Sequence, residues 1–147
     1  MQNLGGFGPD SGVPAELRYS QIGYANGAPF DLVVTVVESL GSLTPPPGGQ
    51  PSGCNGMFGM IVSHAGTVAT LRFAFEDSLS GAAVTLPEFV FSVFDLDGNG
   101  NERVQVDGFS SYTLRAPETN VVDEGDGSCI AAESCARRTA EPTPCLL

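Results

Sequence analysis

The chain has 147 residues, 41 % of them hydrophobic, with 19 glycines and 11 prolines; it is long enough to bury one core and too apolar to stay disordered. Its net charge is −11 and its six cationic residues are all arginine, a balance that repels nucleic-acid phosphate and anionic lipid and favours cations or basic protein surfaces. No run reaches the ~18–20 apolar residues of a membrane-spanning helix, and the start MQNLGGFGPDSG has neither the charged nor the apolar region of a signal peptide.

Frequent glycine and proline cut the chain into short segments, the pattern of an all-β fold. Residues 1–16 are glycine-rich and aperiodic and are read as an N-terminal arm. ELRYSQIGY follows as a first strand, with Leu17, Tyr19 and Gln21 on one face. FDLVVTVVESL, from Phe30 to Leu40, is β-branched through Val33–Val37 and apolar on both faces, so it is expected at the centre of a sheet.

Three consecutive prolines and the surrounding glycines in GSLTPPPGGQPSGCNG forbid regular structure, and a long exposed loop is expected over 41–56. MFGMIVSHAG reads as a short strand running into a turn. TVATLRFAFEDS alternates Val68, Leu71, Phe73 and Phe75 against Thr70, Arg72, Ala74 and Glu76, with a slip near Ala69. A turn, a short Val84–Leu86 segment and a strand from Phe89 to Phe94 come next, and RVQVDGFSSYTL supplies another strand. In the tail NVV is a candidate strand, and SCIAAESCARR a helical turn capped by Ser128.

The expected architecture is an antiparallel β-sandwich, jelly-roll-like, with long irregular ends. Its parts are the arm over 1–16, the sandwich over 17–128 and a cysteine-containing tail over 129–147. Val34, Val36, Phe73, Phe75, Phe89, Phe91, Val93 and Val104 are the expected core. Cys54, Cys129, Cys135 and Cys145 allow three pairings. At least one disulfide is expected, which places the chain in an oxidising compartment.

The stretches FDLVVT, NGMFGMI, LRFAFEDSLSGAAVTLPEFVFSVFDLD and ERVQVDGFSSYTL, between Leu17 and Leu114, together resemble a β-sandwich module found in secreted and surface proteins of unicellular algae and other microbes. The most specific parts are F-x-D-S-x-[ST]-G-x-x-V-T-L and F-D-L-D. The resemblance implies the sandwich fold and an extracytosolic setting: secreted, at the cell surface, or in an organelle lumen such as that of the thylakoid.

FSVFDLDGNGNE carries the strongest chemical signal. Asp95, Asp97 and Asn99 have the spacing of the first three ligands of an EF-hand loop, with Gly100 in the sixth place. The twelfth place holds Val106 instead of a glutamate, and the preceding segment reads as a strand, so this is not an EF-hand. Calcium could still be held by Asp95, Asp97, Asn99 and Glu102, with oxygens from Asp107 or the Asp123–Asp126 cluster. The rival reading is an Asx turn without an ion.

Catalytic residues are not assigned. His64 is the single histidine, it has no nucleophile motif beside it, and adjacent Glu76 and Asp77 face opposite sides of a strand. The sequence is therefore read as a non-catalytic interaction or structural module, calcium-supported, binding a protein partner through its loops and tails. Two alternatives stand beside it. One is a soluble extrinsic accessory subunit of an algal photosynthetic membrane complex such as a photosystem; the other is a carbohydrate-binding module.

Overall fold

The computed structural model describes residues 1–96, 102–114 and 121–123, and the backbone of 128–131. The fold is all-β and antiparallel, and the chain divides into two compact units, Met1–Pro87 and Glu88–Leu147.

In the first unit, β1 (Glu16–Ala25), β2 (Ala28–Leu40), β5 (Val68–Asp77) and β6 (Ala83–Val84) form one sheet in the order β1-β2-β5-β6. β2 lies between β1 and β5, as its two-sided apolar pattern requires. The β1–β2 hairpin turns on Asn26 and Gly27, with φ of 51° and 82°. Positive φ at both central residues is the geometry whose twist matches the strands on either side.

Leu17, Val34, Leu4 and Leu43 form the buried centre, with Tyr19, Leu32, Val36, Ala69 and Leu71 packed around them. Two of these four come from segments that the sequence suggests are irregular. The backbone of Met1–Asn3 runs antiparallel to β1, with Gln2 bridged to Leu17, Asn3 N donating to Glu16 O at 2.9 Å and Arg18 N to Met1 O at 3.0 Å. Buried Asn3 closes the loop behind this short pairing. Its Nδ2 donates to the carbonyls of Val13 and Pro14, and its Oδ1 accepts the Gly8 N–H. Leu4 is thereby delivered to the core.

Leu43 is brought inward at the other end of β2. Thr67 Oγ1 accepts the Ser42 N–H and donates to Ser42 O, both at 3.0 Å, which closes the long connection at its base. The connection is thus exposed only in part. Pro46–Gln50 are exposed, while Leu43, Ser52 and Gly53 are buried, and Gly53–Asn55 (β3) pairs with Phe58–Met60 (β4) in a small hairpin.

β5 has no slip. Its ladder with β2 carries no extra residue on the β5 side; Ala69, Leu71 and Phe75 are half-buried, and Val68 and Phe73 are exposed. The irregularity sits in β2, where the ladder steps from Val36↔Leu71 to Glu38↔Thr70 and leaves Val37 bulged and exposed. In β1 a second bulge between Tyr19 and Gly23 turns Gln21 out of the expected inner face, at φ 53°.

The second unit contains β7 (Arg103–Gln105), β8 (Val121–Asp123) and β9 (Ser128–Ala131), in the order β7-β9-β8. Ser128 begins a strand, which replaces the expected helix cap. Phe109 and Tyr112 meet edge to face at 5.1 Å, and the Tyr112 hydroxyl donates to Asp123 Oδ2 at 2.9 Å.

Phe89–Phe94 is not a ladder strand, although its composition is that of one. Of the expected core, Val34 is buried, and Val36, Phe75, Phe91, Val93 and Val104 are half-buried. Phe73 and Phe89 are 39 % and 57 % exposed, so neither is a core residue of the described structure.

Candidate functional site

The polar loop begins at Asp95, which is exposed and has φ 62°, a conformation uncommon outside glycine. A short polar side chain tolerates it by bonding locally. Glu102 is exposed at the far end, immediately before β7. Asp97 and Asn99, and with them Gly98 and Gly100, lie outside the described residues. Among the described residues no group of three or more His, Cys, Asp or Glu side chains is gathered as a metal site.

Among the described residues a cluster of ion pairs lies elsewhere, on the face of the first sheet opposite Leu17 and Val34. Arg18 in β1 fans out to three carboxylates. Its Nε donates to Glu16 Oε1 at 2.8 Å, its Nη1 to Asp31 Oδ2 at 3.0 Å and its Nη2 to Glu76 Oε2 at 2.7 Å. Strand register makes this possible. Arg18 pairs with Val33, and Asp31 pairs with Glu76, so all three side chains share one face and step across three strands.

Asp31 is 3 % exposed. Its Oδ1 accepts the Gln21 N–H at 2.9 Å as well as the Ser78 hydroxyl, so each oxygen is used. Burial acts to raise its pKa, but the bonds from Ser78, Gln21 and Arg18 outweigh burial and hold it below the ordinary aspartate value. The hydrogen bond to Glu76 is the main influence raising the Arg18 pKa, against the opposing effect of burial.

Ser78 is held for this role by the turn between β5 and β6. Asp77 Oδ1 accepts Leu79 N at 3.1 Å, and Ser80 N and Ser80 Oγ at 2.7 Å. These bonds, led by those from Ser80, hold the Asp77 carboxyl below its ordinary range. The D-S-x-[ST]-G run is therefore a turn that bonds to itself and points one hydroxyl back at β2.

Among the described residues no buried side-chain nitrogen or oxygen lacks a partner. Each of the three guanidinium nitrogens of Arg18 donates to a carboxylate of the protein, an arrangement that fixes strand register. The sequence reading missed this network, although its signal was present: Asp31 is an acid inside an otherwise apolar run, and a charge there needs a partner.

A different surface is formed at the β3–β4 hairpin. Met57 is 96 % exposed and Phe58 57 %, with Ile61 also exposed. Cys54 is a free, exposed thiol at the base of this hairpin, beside Tyr19, whose hydroxyl donates to Gly53 O at 2.8 Å. Burial chiefly, and then Cys54, raise the Tyr19 pKa. The side chains of Cys129, Cys135 and Cys145 lie outside the described residues. His64 is exposed on a turn, its N–H bonded to Ser42 O and its carbonyl accepting from Thr67 N, both at 3.0 Å.

No helix among the described residues is long and apolar enough to cross a membrane. Comparison with protein-family models, curated proteins and solved structures finds no match.

Proposed function

We propose that this protein is a non-catalytic β-sandwich interaction module, supported by calcium at the Asp95–Glu102 loop, that binds a protein partner through its loops. The observation that carries the reading is the β3–β4 hairpin. A thioether and an aromatic ring are presented at its tip with Met57 almost wholly exposed, and large apolar groups held in water favour a partner surface. The tyrosine–carbonyl bond at 2.8 Å secures the base of the hairpin, so the tip is offered on a fixed stem.

The acidic balance selects partners with a basic rim. Extracytosolic placement belongs to the same proposal and rests on the sequence resemblance.

The test is the native size of the protein in extracts of its own source, compared with Met57→Ser/Phe58→Ser. The proposal expects the parent to migrate in an assembly larger than one chain. It expects the variant to be released from that assembly while retaining the melting temperature of the parent. Equal migration of the two proteins, whether as assembly or as single chain, would remove the hairpin from the interface and the reading with it.

A further inference from the structure

Three segments of chain converge on one buried carboxylate. Asp31 Oδ2 accepts from Arg18 in the first half of β1, at 3.0 Å. Its Oδ1 accepts the Gln21 N–H, from the bulge of β1, at 2.9 Å, and the Ser78 hydroxyl from the β5–β6 turn. Gln21 is held at φ 53°, which a side-chain-bearing residue seldom adopts without something to fix it. The carboxylate is what receives its amide.

The bulge lies on the outer strand of the sheet. Beyond it β1 is tied down at Gly23↔Phe30, Tyr24↔Pro29 and Ala25↔Ala28. Gly23 lies flat on the buried ring of Phe30, where a Cβ would come within 2.6 Å of it. Gly23, at the end of the bulge, therefore covers an aromatic ring, and within the bulge the Gln21 amide is received by the Asp31 carboxylate.

We propose that Asp31 is an acid-operated latch: its carboxylate closes the Tyr19–Gly23 bulge onto the sheet, and its protonation releases that stretch and uncovers Phe30. A protonated acid gives up acceptor capacity and its attraction for Arg18. The first half of β1 stays in place, because Arg18 retains Glu16 at 2.8 Å and Glu76 at 2.7 Å, and Met1–Asn3 remains paired to Glu16–Arg18.

The groups around Asp31 set the direction. Arg18 and Glu16 lie on β1, Glu76 is its register partner on β5, and Asp77 stands at the β5–β6 turn. Arg18 is the cation of this group, against four carboxylates with Asp31 included. Acid relieves that excess. The three hydrogen bonds keep the Asp31 pKa below its ordinary value of 3.8 despite burial, so the latch opens only on the acid side of that value.

Amide-resolved hydrogen exchange by NMR on the whole chain, between about pH 6 and about pH 2.5, tests this, with the Asp31 carboxyl carbon shift reporting its titration. The expected result is that Gln21 loses about tenfold or more of its protection as Asp31 titrates, while the amides of Val33 and Val34 keep theirs. Asp31→Asn should show the open Gln21 at every pH. Ser78→Ala removes a bond that lowers the pKa, and should move the opening of Gln21 to higher pH. The latch is overturned if Gln21 stays protected through the titration, if it opens only together with Val33 and Val34, or if Ser78→Ala leaves the opening pH unchanged.

Discussion

Arg18 and Glu76 stand 58 residues apart in the chain, with a whole strand between them, and their Nη2 and Oε2 atoms meet at 2.7 Å. The guanidinium reaches over β2 and is bound midway by Asp31 at 3.0 Å. A one-residue slip of β1 or β5 would send one of these side chains to the opposite face of the sheet. The network therefore specifies register, and three expectations about stability follow from its geometry.

Arg18→Ala leaves Asp31 as an uncompensated buried charge, and should cost about 3–5 kcal/mol in urea unfolding. Arg18→Lys should recover only part of that loss, since an ammonium has no planar fork with which to hold three carboxylates at once. A loss below about 0.5 kcal/mol for Arg18→Ala, the range of ordinary surface changes, would show that the network is not structural.

The pH dependence has a definite sign. Asp31 has a lower pKa folded than unfolded, so its contribution is present above the ordinary value of 3.8 and is lost as pH falls through the folded value. Unfolding free energies of the parent and of Asp31→Asn, measured at successive pH values, should differ most above that pH and converge below it. A difference that widened in acid would contradict the assignment.

Leu4→Ala should cost about 2–5 kcal/mol, as for a leucine removed from a packed core, although it lies in a glycine-rich stretch before the first strand. Met57→Ala, at the exposed hairpin tip, should stay within about 0.5 kcal/mol of the parent. Equal effects at the two positions would mean that the N-terminal segment is not part of the core.

Cys54 should be alkylated in the native protein without reductant, and peptide mapping should find it modified. Any disulfide would then join two of Cys129, Cys135 and Cys145. Recovery of Cys54 in a disulfide-linked peptide would overturn its description as a free thiol.

For the acidic loop, melting should rise with calcium at a hundredfold excess over Kd, by the equivalent of about 2.7 kcal/mol. Asp97→Ala should remove that response while melting like the parent in chelator. A melting curve indifferent to both calcium and chelator would leave the loop as a turn without an ion.

Much of the first sheet was legible in the sequence because strand periodicity is local. The β-branched run Val33–Val37 marked the central strand, and alternation in Leu71–Glu76 assigned the two faces of β5. The Asn26-Gly27 turn was also there to be read, since those two residues suit positive φ at adjacent positions. Where alternation broke, the sequence reading put the irregularity in β5. A one-sided pattern cannot say which strand of a pair carries the extra residue, and the ladder places it at Val37 of β2.

By itself, then, the sequence determined the all-β antiparallel class, the central place of β2 and the acidity of the surface, all properties of composition and short-range pattern. Only the tertiary structure decided that Leu4 and Leu43 complete the core, that Phe89–Phe94 lacks a ladder and that Arg18 joins Glu16, Asp31 and Glu76. The reason is physical. A glycine-rich arm or a proline-rich loop has no period to show which of its residues will be buried, and a ladder or ion-pair network exists only when segments distant in sequence arrive side by side.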